Sequence, residues 1–155
     1  MNLAHATDRT NSVAAPALAP LQDALLASLR IYVAWQFLKS GWLKVTDWET
    51  TLFLFEEEYR VPLLSPGLAA VLGTGAELLF PLLLIVGLLT RYAALGLLAV
   101  NVVAVIAYAH VLMEDGFEAA LGQHYLWGLM LVTVFAFGAG RLSLDALIGR
   151  RSVRG

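Results

Sequence analysis

Glu77 and Pro81 stand four residues apart inside an otherwise apolar stretch. In a helix, Pro81 has no N–H to offer the carbonyl of residue 77. A carboxyl and an unpaired carbonyl then sit together, and a kink is expected there. Counting about 1.5 Å per residue places Glu77 about 16 Å from the outer end of its helix, near the middle of a bilayer. An ionisable group at that depth costs about 2.5–3.5 kcal/mol and is functional by default. Gly73 shares its face and permits a close helix approach. Glu77 is therefore read as a carboxyl that titrates or relays a proton, the bland alternative being a protonated, hydrogen-bonded packing residue.

Two cations could answer it. Arg30, Phe37, Gly41 and Lys44 fall near one stripe of the first apolar helix, with Trp35, Lys39 and Trp42 roughly opposite. The Arg30 stripe is assigned to the bundle interior and Lys39 to an interfacial anchor. Lys44 leans into the bundle and Glu77 leans out towards it, because side chains tilt to their helix N-terminus. A Lys44–Glu77 pair, direct or through water, fits these directions. An Arg30–Glu77 pair is disfavoured by depth, and Arg30 is expected to meet inner headgroups or carbonyls at the end of the fourth span.

His110 and His124 flank the short connection between the third and fourth spans. Asn101 and Tyr108 lie on the face of the third span opposite His110, so one set or the other points inward. Two histidines and Glu77 would suit a metal, but Glu77 lies too deep, and no metal site is assigned. Lys44, Glu77, Tyr108, His110 and His124 thus collect on the outer half. Glu77 is the candidate catalytic residue and the other four are ligand-binding candidates. Arg30, Gly41 and Pro81 are structural. A cavity lined this way could hydrogen-bond a quinone carbonyl and exchange protons with it.

These positions require long helices, and the composition supplies them. Of 155 residues, 59% are hydrophobic and 14% charged, against roughly 45–50% and 25% for soluble domains. Mean hydropathy is +0.74. This excludes a disordered chain, a nucleic-acid-binding domain and an ordinary soluble enzyme. With no cysteine, the chain has no disulfide or thiol chemistry of its own. Spans are expected over Ala24–Val45, Gly67–Leu89, Arg91–Met113 and Ala119–Gly138, each near the ~20 residues a bilayer needs. The expected fold is all-α, an integral membrane four-helix bundle.

Between the first two spans, Thr46–Pro66 is too polar to cross. Thr46 and Glu49 are spaced as a capping box, and Trp48, Leu52, Phe55 and Tyr59 share one face. An amphipathic outer-surface helix is expected there, a connector or a lid. At the far end Gly138-Ala139-Gly140 breaks the last span, and Ser143 can cap a short helix over Leu144–Ile148.

Arg9, Arg91, Arg141, Arg150, Arg151 and Arg154 flank one side, whereas the acidic residues Glu49, Glu56–Glu58, Glu114, Asp115 and Glu118 flank the other. That bias puts both termini in the cytoplasm. Residues 1–20 lack the pattern of a cleavable signal and read as a flexible cytoplasmic tail. Residues 150–155 read as a basic one.

Three segments resemble the DoxX family of small four-span membrane proteins. They are Arg30 with Phe37-Leu38-Lys39-Ser40-Gly41-Trp42-Leu43-Lys44, then Gly75-Ala76-Glu77-Leu78 with Pro81 and Gly87-Leu88-Leu89-Thr90-Arg91, then Gly138-Ala139-Gly140-Arg141-Leu142-Ser143-Leu144-Asp145. The resemblance covers Leu29 to Arg151, within a four-helix domain of residues 21–149. It implies a bacterial inner-membrane protein, multi-pass, associated with redox or stress functions such as quinone-coupled sulfur oxidation. It does not imply one defined reaction, and the cofactor stays open with quinone as the candidate. The implied partners are the bilayer and a periplasmic or membrane redox or metal-handling protein, with homo-oligomers open. Thiol-to-quinone chemistry would need a partner to supply the thiols. Two readings stand beside this one: a small-solute or metal-related conduit, and a non-catalytic assembly partner.

Overall fold

The computed structural model describes residues 3–152, with side chains from 18 to 150. All regular structure among them is helical: α1 (Leu3–Thr46), α2 (Trp48–Glu57), α3 (Pro66–Val86), α4 (Thr90–Ala107), α5 (Ala109–Leu112), α6 (Glu118–Phe137) and α7 (Leu144–Ser152). Backbone helix runs from Leu3 through most of the stretch expected as a tail. Met1, Asn2 and residues 153–155 of the two expected tails lie outside the described residues, as do the side chains of Arg9, Arg151 and Arg154.

The four long helices close a ring, each packed on two neighbours in the order α1, α3, α4, α6. Successive members run antiparallel, α3 and α4 joined by a tight turn and the other pairs by the segments that carry α2 and α5. Three of them, α3, α4 and α6, are long and apolar enough to cross a membrane among the described residues. In α1, Arg30, Gln36, Lys39, Ser40 and Lys44 dilute the apolar composition. The outer surface of the ring is apolar, with Trp35, Leu79, Leu95 and Leu129 all more than half or nearly half exposed. A water-soluble bundle would not expose such residues together; a bilayer covers them.

Down its length the bundle has two unlike halves. In the half towards α7, Val33, Leu84, Leu97, Leu131 and Val134 are fully buried and form a dry core. In the half towards α2, the helices enclose a cavity instead.

At the α7 end, the three segments singled out above meet. The Arg30 guanidinium donates from Nη1 to the carbonyl of Ala139 at 2.6 Å and from Nη2 to the carbonyl of Leu142. The Asp145 carboxylate accepts from the N–H groups of Leu89 and Thr90 at 2.9 and 3.0 Å. It thereby caps α4, whose Leu89 holds a left-handed backbone with φ 48°. The Asp145 N–H donates back to the Gly87 carbonyl at 2.9 Å. Gly87 has φ 69°, and a side-chain carbon there would fall 2.5 Å from Ser143 Cβ. Glycine is required on both counts. The Ser143 hydroxyl accepts from the Ala146 N–H at 3.2 Å, the expected cap of α7. Asp23 binds Arg141 through backbone and side chain at 2.8 and 2.6 Å. Together these contacts tie the middle of α1 to the ends of α3, α4 and α6, where those three helices leave unpaired carbonyls or N–H groups.

At the other end the expected capping box is not formed. Asp47, not Thr46, caps α2, accepting from the Thr50 N–H at 3.1 Å. Thr46 remains within α1 and bonds back to the Leu43 carbonyl at 2.9 Å. Three residues of the expected α2 face do pack inward, Phe55 buried against Ala69 and Ala70 with Leu52 and Tyr59 beside it. Thr51 and Phe55 are buried while Trp48 is exposed. The Thr51 hydroxyl donates to the Lys44 carbonyl at 3.0 Å, an unpaired group at the end of α1.

Candidate functional site

The cavity in the α2 half holds about 600 Å³ and is lined mainly by apolar side chains of all four long helices. Its polar groups come from a few positions. On α1, Gln36, Ser40 and Lys44 recur every four residues and so share one line along the helix. Lys44 Nζ contacts Glu77 Oε2 of α3 at 2.5 Å and donates to Ser40 Oγ at 2.9 Å. Both charged side chains are largely buried, at 18% and 10% exposure, so each is the other's main counter-ion.

Backbone geometry brings this pair together. An added carbon on Gly41 would meet Glu77 Cβ at 3.0 Å and the Glu77 carbonyl oxygen at 3.1 Å. α1 can therefore approach α3 closely only because position 41 has no side chain. Pro81 is buried one turn further along α3, and the helix continues unbroken through it. The carbonyl that Pro81 leaves unpaired is the one Gly41 faces.

His124 of α6 enters the lining from across the bundle. Asn101, buried in α4, donates through Nδ2 to the His124 carbonyl at 3.0 Å. Its Oδ1 is then the acceptor facing His124 Nδ1 at 2.9 Å. That contact makes Nδ1 the donor and leaves Nε2 of the neutral ring free to accept. Trp127 meets the rings of His124 and Phe37 edge-on, with centroids 5.1 and 5.7 Å away.

α2 and the chain after it cover the cavity's end. Phe55 and Tyr59 line it from above. Phe55, Tyr59 and Tyr108 stack edge to face, with centroids 5.0 and 5.3 Å apart. Two bonds fasten this cover to the end of α4: Tyr108 Oη donates to Glu58 at 3.1 Å, and the Arg60 N–H donates to the Ala107 carbonyl at 3.0 Å. Burial, then the neighbouring Tyr108 and Glu58, raises the Tyr59 phenol above its usual range. Tyr59 thus stays a neutral donor.

Of the expected site residues, Lys44, Glu77, Tyr108 and His124 line this one cavity. His110 does not. It is exposed beyond the cover and touches only the outer edge of Tyr108, with centroids 5.6 Å apart. The physical reason is that α4, with Asn101 buried, ends at Ala107, and His110 lies past the break at Tyr108 on the separate short helix α5. Arg30 does not pair with Glu77; its guanidinium is held at the far end of the bundle by the carbonyls after α6. Sequence reasoning missed Gln36, Ser40 and Trp127 as lining residues. The four-residue spacing of Gln36, Ser40 and Lys44 was the available signal.

The chain matches the DoxX family over residues 25–111. It is also similar to an uncharacterised protein of Haemophilus influenzae, 33% identical over 130 residues that cover 79% of this chain and 82% of that one. No solved structure matches. The family match spans more than half of the chain and includes α3 and α4 with their connecting turn, so this protein is a membrane protein of the DoxX family.

Proposed function

We propose that the chain is a redox- or stress-associated membrane subunit whose cavity holds a quinone head group. The observation that carries this reading is the Lys44–Glu77 pair at the wall of a largely apolar cavity of about 600 Å³. That volume falls in the ~300–1,000 Å³ range of small-molecule sites, which combine apolar walls with a few placed polar groups. Lys44 supplies a charge-assisted donor for a quinone oxygen. Glu77 exchanges a proton with that oxygen, and His124 Nε2 holds the opposite edge of the ring. Reduction to quinol takes two electrons and two protons. A partner's dithiol would supply both as it closes to a disulfide, because this chain has no cysteine. The protein would reside in the bacterial inner membrane with α2 outside. The acidic residues of α2 and Glu114, Asp115 and Glu118 lie at one end of the bundle, and Arg91, Arg141 and Arg150 at the other, as the positive-inside bias requires.

The test is the quinone content of protein extracted from its own membranes in lipid nanodiscs, measured by mass spectrometry against an equal amount of empty nanodiscs. Wild type should retain quinone in proportion to protein. Glu77→Gln, which keeps the shape and loses the charge, should retain about ten- to a hundredfold less, the worth of one charged hydrogen bond. A folded wild type no richer in quinone than the empty discs would overturn the reading.

A further inference from the structure

The cavity is covered at its water-facing end, yet it is not sealed. Its exposed lining residues are Leu64, Leu72, Ala99 and Val103. All four are apolar. Leu72 lies on α3, Ala99 and Val103 on α4, and Leu64 just before α3. Ala99 stands eight residues before the end of α4, about 12 Å down at 1.5 Å per residue, well inside the hydrocarbon layer.

The gap between these two helices has a physical cause. Small residues line the cavity on both helices, namely Gly73 and Ala76 on α3 and Ala104 on α4. Below, the gap is shut. Phe80 of α3 lies on Gly96 of α4 so closely that a side-chain carbon at 96 would fall 2.5 Å from the ring. Above, Phe55 and Tyr59 form the cover, fastened through Tyr108–Glu58 and Arg60–Ala107. The side between α3 and α4 is where the lining reaches the surface.

We infer that this gap is a lateral port, and that the cavity takes a bilayer-dissolved amphiphile whose apolar tail lies in the port. Charge complementarity defines the head. Lys44 and Glu77 neutralise each other, so a net charge on the ligand finds no counter-ion. An uncharged head with hydrogen-bonding oxygens can accept from Lys44 and share a proton with Glu77. A water-dissolved solute would have to cross an apolar rim or displace the fastened cover. The inference rests on the ligand reading of the cavity and adds the route of entry and the place of the apolar tail.

Trp127 is the one tryptophan of four that lines the cavity, so with Trp35, Trp42 and Trp48 changed to Phe it reports occupancy alone. Two probes are titrated into nanodiscs holding this protein: a benzoquinone with one ten-carbon tail, and the same ring without it. Because the bound tail occupies the port and the ring does not, Val103→Phe and Ala99→Leu should weaken the tailed probe about tenfold and the tail-less ring less than about twofold. Leu72→Ala, which widens the rim, should leave the tailed probe at least as tight as wild type. Each variant is first checked for helical content and a single size-exclusion peak. If both probes bind wild type and the rim substitutions weaken them equally or not at all, the port is wrong and the ligand site survives. If neither probe quenches Trp127 in folded wild type, both fall.

Discussion

The ion pair between Lys44 and Glu77 joins α1 to α3 in a low-dielectric setting. Its 2.5 Å contact forms where each ion has lost most of its hydration. Removing one partner leaves the other uncompensated, at about 3–5 kcal/mol for a buried pair. Lys44→Met and Glu77→Leu should each lose stability towards the lower end of that range, since the cavity reaches the surface. The double variant should recover most of the loss. Reversible unfolding in mixed micelles measures the cycle, and additive single effects would show that the pair contributes no coupling. Gly41→Ala tests the backbone contact beneath the pair. The added methyl meets Glu77 at 3.0–3.1 Å, backbone included. The helices must part by a few tenths of an ångström, at about 1–3 kcal/mol for such overpacking.

The ends of the helices behave differently from their middles, because each end has unpaired backbone groups. Arg30 satisfies two carbonyls after α6, and Asp145 satisfies two N–H groups at the start of α4. Arg30→Lys should not rescue Arg30→Met, since one ammonium cannot reproduce the planar fork that spans two carbonyls. Thermal stability in nanodiscs compares the two. For Asp145, burial raises the carboxyl, but the hydrogen bonds from Thr90 and Leu89 and the charge of Arg30 outweigh it. They hold it below its ordinary value of 3.8. A lowered folded pKa means stabilisation that is complete above the unfolded pKa and is lost as pH falls through the folded one. Asp145→Asn should therefore be less stable than wild type near neutrality, and the gap should close progressively below about pH 4. A gap constant down to pH 2 would show that the carboxylate charge contributes nothing. Asp145→Ala should cost about 0.5–2 kcal/mol, the worth of a helix cap.

Over the whole molecule, charge and burial run along the bundle axis. Acidic residues crowd the covered end, arginines the tied end, and the dry core separates the tied end from the cavity. The tied end therefore acts as a fixed base and the α2 half as the adaptable one, where most of the internal space is. This arrangement is the basis of the proposed orientation, with α2 outside. Because the sequence has no cysteine, single reporters are clean. Cysteine at position 57 should react with an impermeant maleimide added outside intact spheroplasts. Cysteine at position 150 should react only after permeabilisation. Labelling of both from one side would overturn the four-span orientation.

Much of this was already determined by residue order. The Lys44–Glu77 pair follows from helix direction, since the two side chains lean towards each other from antiparallel helices. The position of Arg30 among the carbonyls after the fourth span follows from its depth, and the Ser143 cap from local hydrogen bonding. These arguments need only one helix axis, or two with known directions. Tertiary structure decided the rotations. Asn101 of α4 turned in to the partner His124 supplied by α6, and His110 fell outside because the helix breaks at Tyr108 and resumes as α5. Whether Thr46 or Asp47 capped α2 depended on where α1 ended. Gln36, Ser40 and Trp127 joined the site only once α1, α3, α4 and α6 closed the ring around a void. Helical periodicity places a side chain about its own axis, but a cavity is a property of four axes at once, set by which small residues let them approach and which aromatic rings hold them apart.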